Sequence, residues 1–255
     1  MLKVNPVSNR HEQRLFIRLP WSIYSDDPAW VPPLLLERKE HLSPHNPYFE
    51  HAQYQSWIAY RDGTPVGRIS AQIDQLHLDR YQEKEGFFGM IEAEDNAETF
   101  AALIQTAEYW LRDHGMRRAL GPYNLSINQE SGLLVDGFDT PPCLMMGHAR
   151  PYYRTRIEEN GYQKAKDLLA YTIDANFYHP AALQAIVKRA KKRVTVRSLR
   201  KSNYYEDMKI IVDIFNDAWS ENWGFLPFTE AEFKQLAKDF KIVLDFELVK
   251  IAEVD

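Results

Sequence analysis

GFFGMIEAEDNAETFAALIQTAEYWLRDHG, residues 86–115, is the stretch whose reading decides the class of fold. Residues 87–93 make a short apolar run of strand length. From Phe100 the period changes: Phe100, Leu103, Ile104, Ala107 and Leu111 recur at helical spacing and share one face. Asp95 or Asn96 stands where an N-cap side chain would accept the first free amides, and Gly115 stands where a helix stops. Residues 117–121 read as a short strand beyond the helix. Strand, long amphipathic helix and strand in succession predict an α/β (α+β) protein.

Working outward, residues 57–60 and 66–73 flank Asp62-Gly63, a pair that tolerates positive φ, and so predict a β-hairpin. Further upstream, Leu15, Ile17 and Leu19 alternate as in a strand, and residues 26–45 carry prolines and leucines suited to short helices. Downstream lie the turn-rich GPYNLSINQESG (121–132), a predicted strand at 144–146, a helix opened by Pro151 and closed by Gly161, and a predicted strand at 168–173. These elements make a first domain, 1–178. In 179–255 the pattern restarts with a basic helix, a strand holding Val194 and Val196, and an amphipathic helix through Met208, Ile211, Val212 and Phe215. A helix capped by Thr229 and Glu232 and a strand at 248–254 follow. IAYRDG at 58–63 and IAEVD at 251–255 occupy corresponding places. The second stretch therefore reads as the opening half of a second domain, and the sequence as part of a longer chain.

Composition narrows the function classes. Among the 255 residues, 45% are hydrophobic and 26% charged, as in ordinary globular proteins, which excludes disordered and collagen-like chains. No apolar run approaches the roughly 20 residues of a spanning helix. A net charge of -5 argues against nucleic acid as a partner. The lone Cys143 and the polar N-terminus, without the apolar core of a signal peptide, point to the cytoplasm. His41, His45 and His51 share no tight ligand spacing, so no metal is expected.

The order of elements resembles the Gcn5-related N-acetyltransferase (GNAT) fold. Residues 86–138 with PYYRTRIEENGYQKAKDLLAYTID (151–174) and NDAWSENWGFLPFTEAEF (216–233) resemble, within it, an acyltransferase-like family that includes bacterial ceramide synthases. The resemblance implies a mixed, splayed sheet flanked by helices, an acyl-CoA or acetyl-CoA co-substrate, and two such units per chain. It implies N-acyl transfer from a CoA or carrier thioester to an amine acceptor, the amine of a long-chain sphingoid base. It also implies a glycine loop between strand and helix, where backbone amides hold the pyrophosphate. Here that junction reads GMIEAEDNAET (89–99), acidic and without the loop. Two further readings stay open: a small-molecule or aminoacyl N-acyltransferase, and a catalytically inert GNAT-fold binding protein.

By the same resemblance, Glu92 stands where the fold keeps a general base, and Tyr152 and Tyr153 lie on the helix that supplies a leaving-group acid. From the residues alone, Glu92 reads first as a solvated or capping carboxylate, and the tyrosines as packing residues. Asn124, Ser126, Asn128, Gln129 and Glu130 form a dense polar loop able to orient a substrate or simply to turn the chain. His148 suits acid/base work or packing. Trp223 belongs to an aromatic cluster that would wall an acyl or long-chain channel or fill a core. The KRAKKR run (188–193) would meet CoA phosphates or give peripheral contact with an anionic inner membrane, if it is more than a solvated helix end.

Overall fold

The predicted hairpin lies at the centre of a mixed five-stranded sheet in the computed structural model, which describes residues 1–174, 180–191 and 193–254, without the side chains of 242 and 243. Strands β1 (Leu2–Pro6), β2 (Ala52–Arg61), β3 (Thr64–Asp74), β4 (Glu85–Ala93) and β5 (Arg118–Leu120) lie in that order. The first four are antiparallel, and β5 runs parallel to β4. Asp62 and Gly63 turn the β2–β3 hairpin with φ of 49° and 85°, the primed-turn conformation that matches strand twist. Helices α1 (Arg10–Arg18), α2 (Pro20–Ile23) and α3 (Leu35–His41) join β1 to β2. Helix α4 (Gln75–Tyr81) joins β3 to β4, α5 (Ala97–Asp113) joins β4 to β5, and α6 (Tyr153–Glu158) follows.

Both faces of the sheet are covered, which is why β2 reads WIAY without alternation. Trp57 and Ala59 pack into one cluster with Ile69, Phe88, Phe100, Leu103 and Tyr153. Ile58 faces another, with Phe16, Ile17, Leu42, Met90 and Leu125. Asn96 caps α5 by accepting the Thr99 amide at 3.2 Å, and the apolar stripe from Phe100 to Leu111 is buried, as its spacing required.

Three predicted strands are corrected. Leu15, Ile17 and Leu19 belong to α1 and its C-cap: Asn9 accepts the amides of His11 and Glu12, and Phe16 is as buried as its neighbours, so the apparent alternation is a helical face. The real first strand, β1, is the polar N-terminal stretch, held by main-chain pairing to β2. Residues 144–146 form a turn closed by the Met146 amide on the Cys143 carbonyl (3.1 Å), with all three side chains exposed. Residues 168–173 enter no sheet, and Leu168, Leu169, Tyr171 and Ile173 face solvent.

The chain divides into compact units Met1–Asp167 and Leu168–Asp255. The expected boundary at 178/179, like Lys192 of the basic run, lies outside the described residues. The second unit contains α7 (Ala181–Ala190), β6 (Val194–Ser198), α8 (Tyr204–Ala218), α9 (Glu230–Val243) and β7 (Lys250–Val254). Thr229 and Glu232 form the predicted capping box of α9. The β6–β7 ladder matches the β1–β2 ladder in register: Val196 pairs with Ala252 and Arg197 with Ile251, as Val4 pairs with Ala59 and Asn5 with Ile58. Just beyond each first strand an amide meets an acid of the next helix, Ser8 on Glu12 (2.7 Å) and Arg200 on Asp207 (2.8 Å).

The feature that positions the site is the parting of β4 from β5. They pair over Glu85–Phe87, and the Tyr123 amide donates to the Phe88 carbonyl at 2.8 Å. At Met90, φ turns to 47° beside a register shift against β3, and side chains take over from main chain. Asn124 Oδ1 accepts the Met90 amide (2.8 Å), Tyr153 accepts the Ala93 amide (3.1 Å), and Tyr152 donates to the Ala93 carbonyl (2.7 Å). The two chains can approach before they part because Gly89 has no side chain: a Cβ there would fall 1.6 Å from the Tyr123 carbonyl oxygen. Gly89→Ala is expected to destabilise the chain by about 3 kcal/mol, read as a lowered Tm in thermal unfolding; an unchanged Tm would refute the close approach.

Candidate active site

Glu92 sits just past the point where the strands part, its side chain only 14% exposed. Its Oε2 accepts two phenol hydrogen bonds, from Tyr24 on the C-cap of α2 and from Tyr153 on α6, each at 2.6 Å. Arg68, facing it from β3, places Nη2 3.8 Å from Oε1. Arg68 is itself fixed by the Phe16 carbonyl (2.8 Å) and lies over the Phe16 ring. Burial pushes the Glu92 carboxyl above its ordinary 4.5, and the Arg68 charge and the two phenols only partly oppose it. Burial and the neighbouring carboxylate push Tyr24 and Tyr153 well up, so both keep their protons.

Glu92, Arg68 and Tyr153 line a cavity of about 110 Å³. Its polar wall includes Arg38, Arg68, Glu92, Glu130 and His148, and its apolar wall includes Trp30, Val31, Leu42 and Met146. Among these lining residues, Arg38 Nε, Arg68 Nε and His148 Nδ1 are buried atoms without a hydrogen-bond partner among the described residues. His148 Nε2 lies 2.9 Å from Asp27 Oδ2.

The polar loop is built against this wall. Asn124 spends its amide group on Glu130 Oε2 (2.7 Å) and its oxygen on Met90, while Arg38 of α3 pairs with Glu130 Oε1. Burial opposes ionisation of Glu130, but the Arg38 charge and hydrogen bond outweigh it and hold the carboxyl below its usual range. Gln129 Oε1 lies 2.7 Å from His41 Nε2. The Ser126 hydroxyl accepts the Asn128 amide (3.2 Å), so these two shape the loop. Buried Gln72 of β3 anchors it further, donating to the carbonyls of Tyr123 (2.7 Å) and Leu125 (3.1 Å).

Glu92, Tyr153, His148, Asn124 and Glu130 therefore meet on one cavity. Tyr152 stands beside them at Ala93, whereas Trp223 is half exposed in the second unit. Tyr153 commits its single proton to Glu92 and accepts from Ala93, so it holds the carboxylate in place. Sequence reading missed Tyr24, Asp27, Arg38 and Arg68. Arg68 carried a usable signal, a cation inside the apolar run VGRISAQI.

The junction at the start of α5 does not fit a diphosphate. Asn96 already caps the helix, and Glu94, Asp95 and Glu98 crowd the end, balanced by Arg61 and Arg156. Among the described residues no group of three or more His, Cys, Asp or Glu is placed to hold a metal ion, and no helix is long and apolar enough to cross a membrane.

Because the folded chain holds the Glu92 proton more tightly than the unfolded chain, Glu92 stabilises the fold below about pH 4.5. That contribution is lost as pH rises through the folded value. Glu92→Gln is expected to match the wild-type Tm near pH 4.5 and exceed it near pH 8. A variant Tm below wild type near pH 8 would show instead that the site favours the ionised form.

No family model matches the chain. It is 46% identical over 248 residues to protein YghO of Escherichia coli K12, covering 97% of this chain and 64% of that one. It is 49% identical over 257 aligned residues to a bacterial ceramide synthase of Caulobacter vibrioides, covering 100% of this chain and 67% of that one. The chain thus spans about two thirds of these relatives' lengths. Solved structures that it resembles include an aminoglycoside acetyltransferase from a soil metagenomic sample, with a TM-score of 0.41, 12% identity, and coverage of 68% of this chain and 97% of that one. Another is glucosamine-6-phosphate N-acetyltransferase of Arabidopsis thaliana, with a TM-score of 0.40, 10% identity, and coverage of 68% and 99%. On the strength of its 49% identity to that relative, the protein belongs to the family of the Caulobacter bacterial ceramide synthase.

Proposed function

We propose that this protein is an N-acyltransferase that moves an acyl group from a thioester, acyl-CoA or acetyl-CoA, to the amine of a long-chain base. The observation that carries the reading is Glu92, a buried carboxylate with a raised pKa on the polar wall of a cavity whose other wall is apolar. An amine arrives as an ammonium ion and must be neutral to attack. A carboxylate whose proton affinity is raised by burial is a better match for that proton than one in water. Tyr24, Tyr153 and Arg68 aim the Glu92 carboxylate, and Asn124 and Glu130 complete the polar wall. Arg38 and Arg68 keep Nε–H donors suited to the oxyanion that forms as nitrogen adds to the carbonyl.

The apolar wall of Trp30, Val31, Leu42 and Met146 suits an alkyl chain, and the naming of the Caulobacter relative supports a sphingoid amine. A CoA donor would need its diphosphate held away from the start of α5. The matching registers of β1–β2 and β6–β7 support reading residues 179–255 as the opening of a second unit of the same kind. Peripheral contact with anionic lipid would fall to α7, whose Leu183, Ile186 and Val187 are exposed beside Lys188 and Arg189.

Mass spectrometry of a reaction with palmitoyl-CoA and sphinganine is expected to show the amide, and Glu92→Gln to lower kcat/KM by about 100-fold or more. Amides from short polar amines alone would replace the long-chain base with a small-molecule acceptor. Absence of amide from every amine would sink the reading.

A further inference from the structure

We infer that Asp27 and His148 form a second acid/base centre on this cavity, which carries a proton from the attacking nitrogen to the departing thiolate sulfur. The inference rests on the N-acyltransferase reading.

The geometry is that of an oriented imidazole. His148 has a side chain only 4% exposed, and its Nε2 lies 2.9 Å from Asp27 Oδ2. Asp27 is held in turn: its Oδ1 accepts the Ala29 amide at 3.0 Å, and Arg150 Nη1 stands 3.6 Å from Oδ2. Arg150 is anchored on the Ile23 carbonyl and on Asp26. Burial opposes ionisation of Asp27, but the hydrogen bonds from His148 and Ala29 and the Arg150 charge outweigh it and hold the carboxyl below its ordinary range. An ionised carboxylate only accepts, so in the neutral ring Nε2 carries the proton and Nδ1 the lone pair. Nδ1 is buried and has no partner among the described residues, a state that ordinarily costs stability. A lone pair left unspent on the wall of a cavity is available to a substrate proton.

Amide formation from an ammonium ion moves two protons off nitrogen, and Glu92 and His148 can each take one. An ammonium acceptor loses one proton before attack and another as the C–N bond forms. Glu92 takes the first and returns it to solvent. His148 Nδ1 takes the second, and the imidazolium so formed is paired with Asp27. As the C–S bond breaks, Nδ1 gives that proton to sulfur, which leaves as a thiol. The products are an amide, a free thiol and one released proton, with Glu92 and His148 restored. Tyr24 joins the two centres: its hydroxyl donates to Glu92 at 2.6 Å and lies 3.4 Å from the His148 carbonyl oxygen. His148 is in this scheme a catalytic residue and Asp27 a positioning residue.

Asp27→Asn tests the division of labour, because the asparagine amide can donate to Nε2 and so move the ring proton to Nδ1. In the wild-type chain, 15N NMR of the labelled histidines is expected to show His148 protonated at Nε2, and in Asp27→Asn at Nδ1. That variant should lose about 100-fold or more in kcat with little change in KM, and His148→Ala should recover part of its loss with added imidazole. A wild-type ring protonated at Nδ1, or a wild-type kcat in either variant, overturns this inference and leaves the N-acyltransferase reading standing. A wild-type chain that acylates no amine overturns both.

Discussion

The arrangement of the first unit depends on one constraint: beyond Met90 the main chain of β4 must find hydrogen-bond partners although β5 has turned away. A buried amide or carbonyl left unpaired is costly enough to decide local structure. Three side chains meet the need, Asn124 at Met90 and Tyr152 and Tyr153 at Ala93. Each also belongs to the site or borders it. Asn124 brings the polar loop with it, and Tyr153 reaches Glu92 with the proton its hydroxyl still holds. The gap between the strands and the chemistry on its wall therefore have a common origin.

The polar groups of the cavity form a balanced set. Arg68 faces Glu92 and Arg38 pairs with Glu130, but the two pairs are not equivalent. Arg38 binds Glu130 directly and keeps it ionised. Arg68 stands farther from Glu92 and spends a donor on the Phe16 carbonyl, so burial prevails there and proton affinity rises. Two carboxylates on one wall are set apart by the geometry of their cations.

How much of this was legible follows the range of the interactions. The α5 helix, the Asp62-Gly63 hairpin and the Thr229–Glu232 cap were readable because period, turn chemistry and capping act over a few residues. Strand β1 was not, because LKVNP buries little and is a strand only through its ladder with β2, more than fifty residues away. Residues 15–19 misled for the opposite reason: Phe16 is buried between residues that seem to alternate. At the site, Glu92, Asn124, Glu130 and His148 were visible as chemistry-bearing residues. Their partners Tyr24, Asp27, Arg38 and Arg68 were not, since only the sheet brings residues 24–68 against β4 and the loops after β5.

The three unsatisfied polar atoms on Arg38, Arg68 and His148, residues that line the cavity, bear on more than chemistry. Each costs the fold about 1–3 kcal/mol. An occupant that satisfied them would return that free energy to the fold as well as to binding. Binding of such a ligand would therefore raise the resistance of the chain to unfolding.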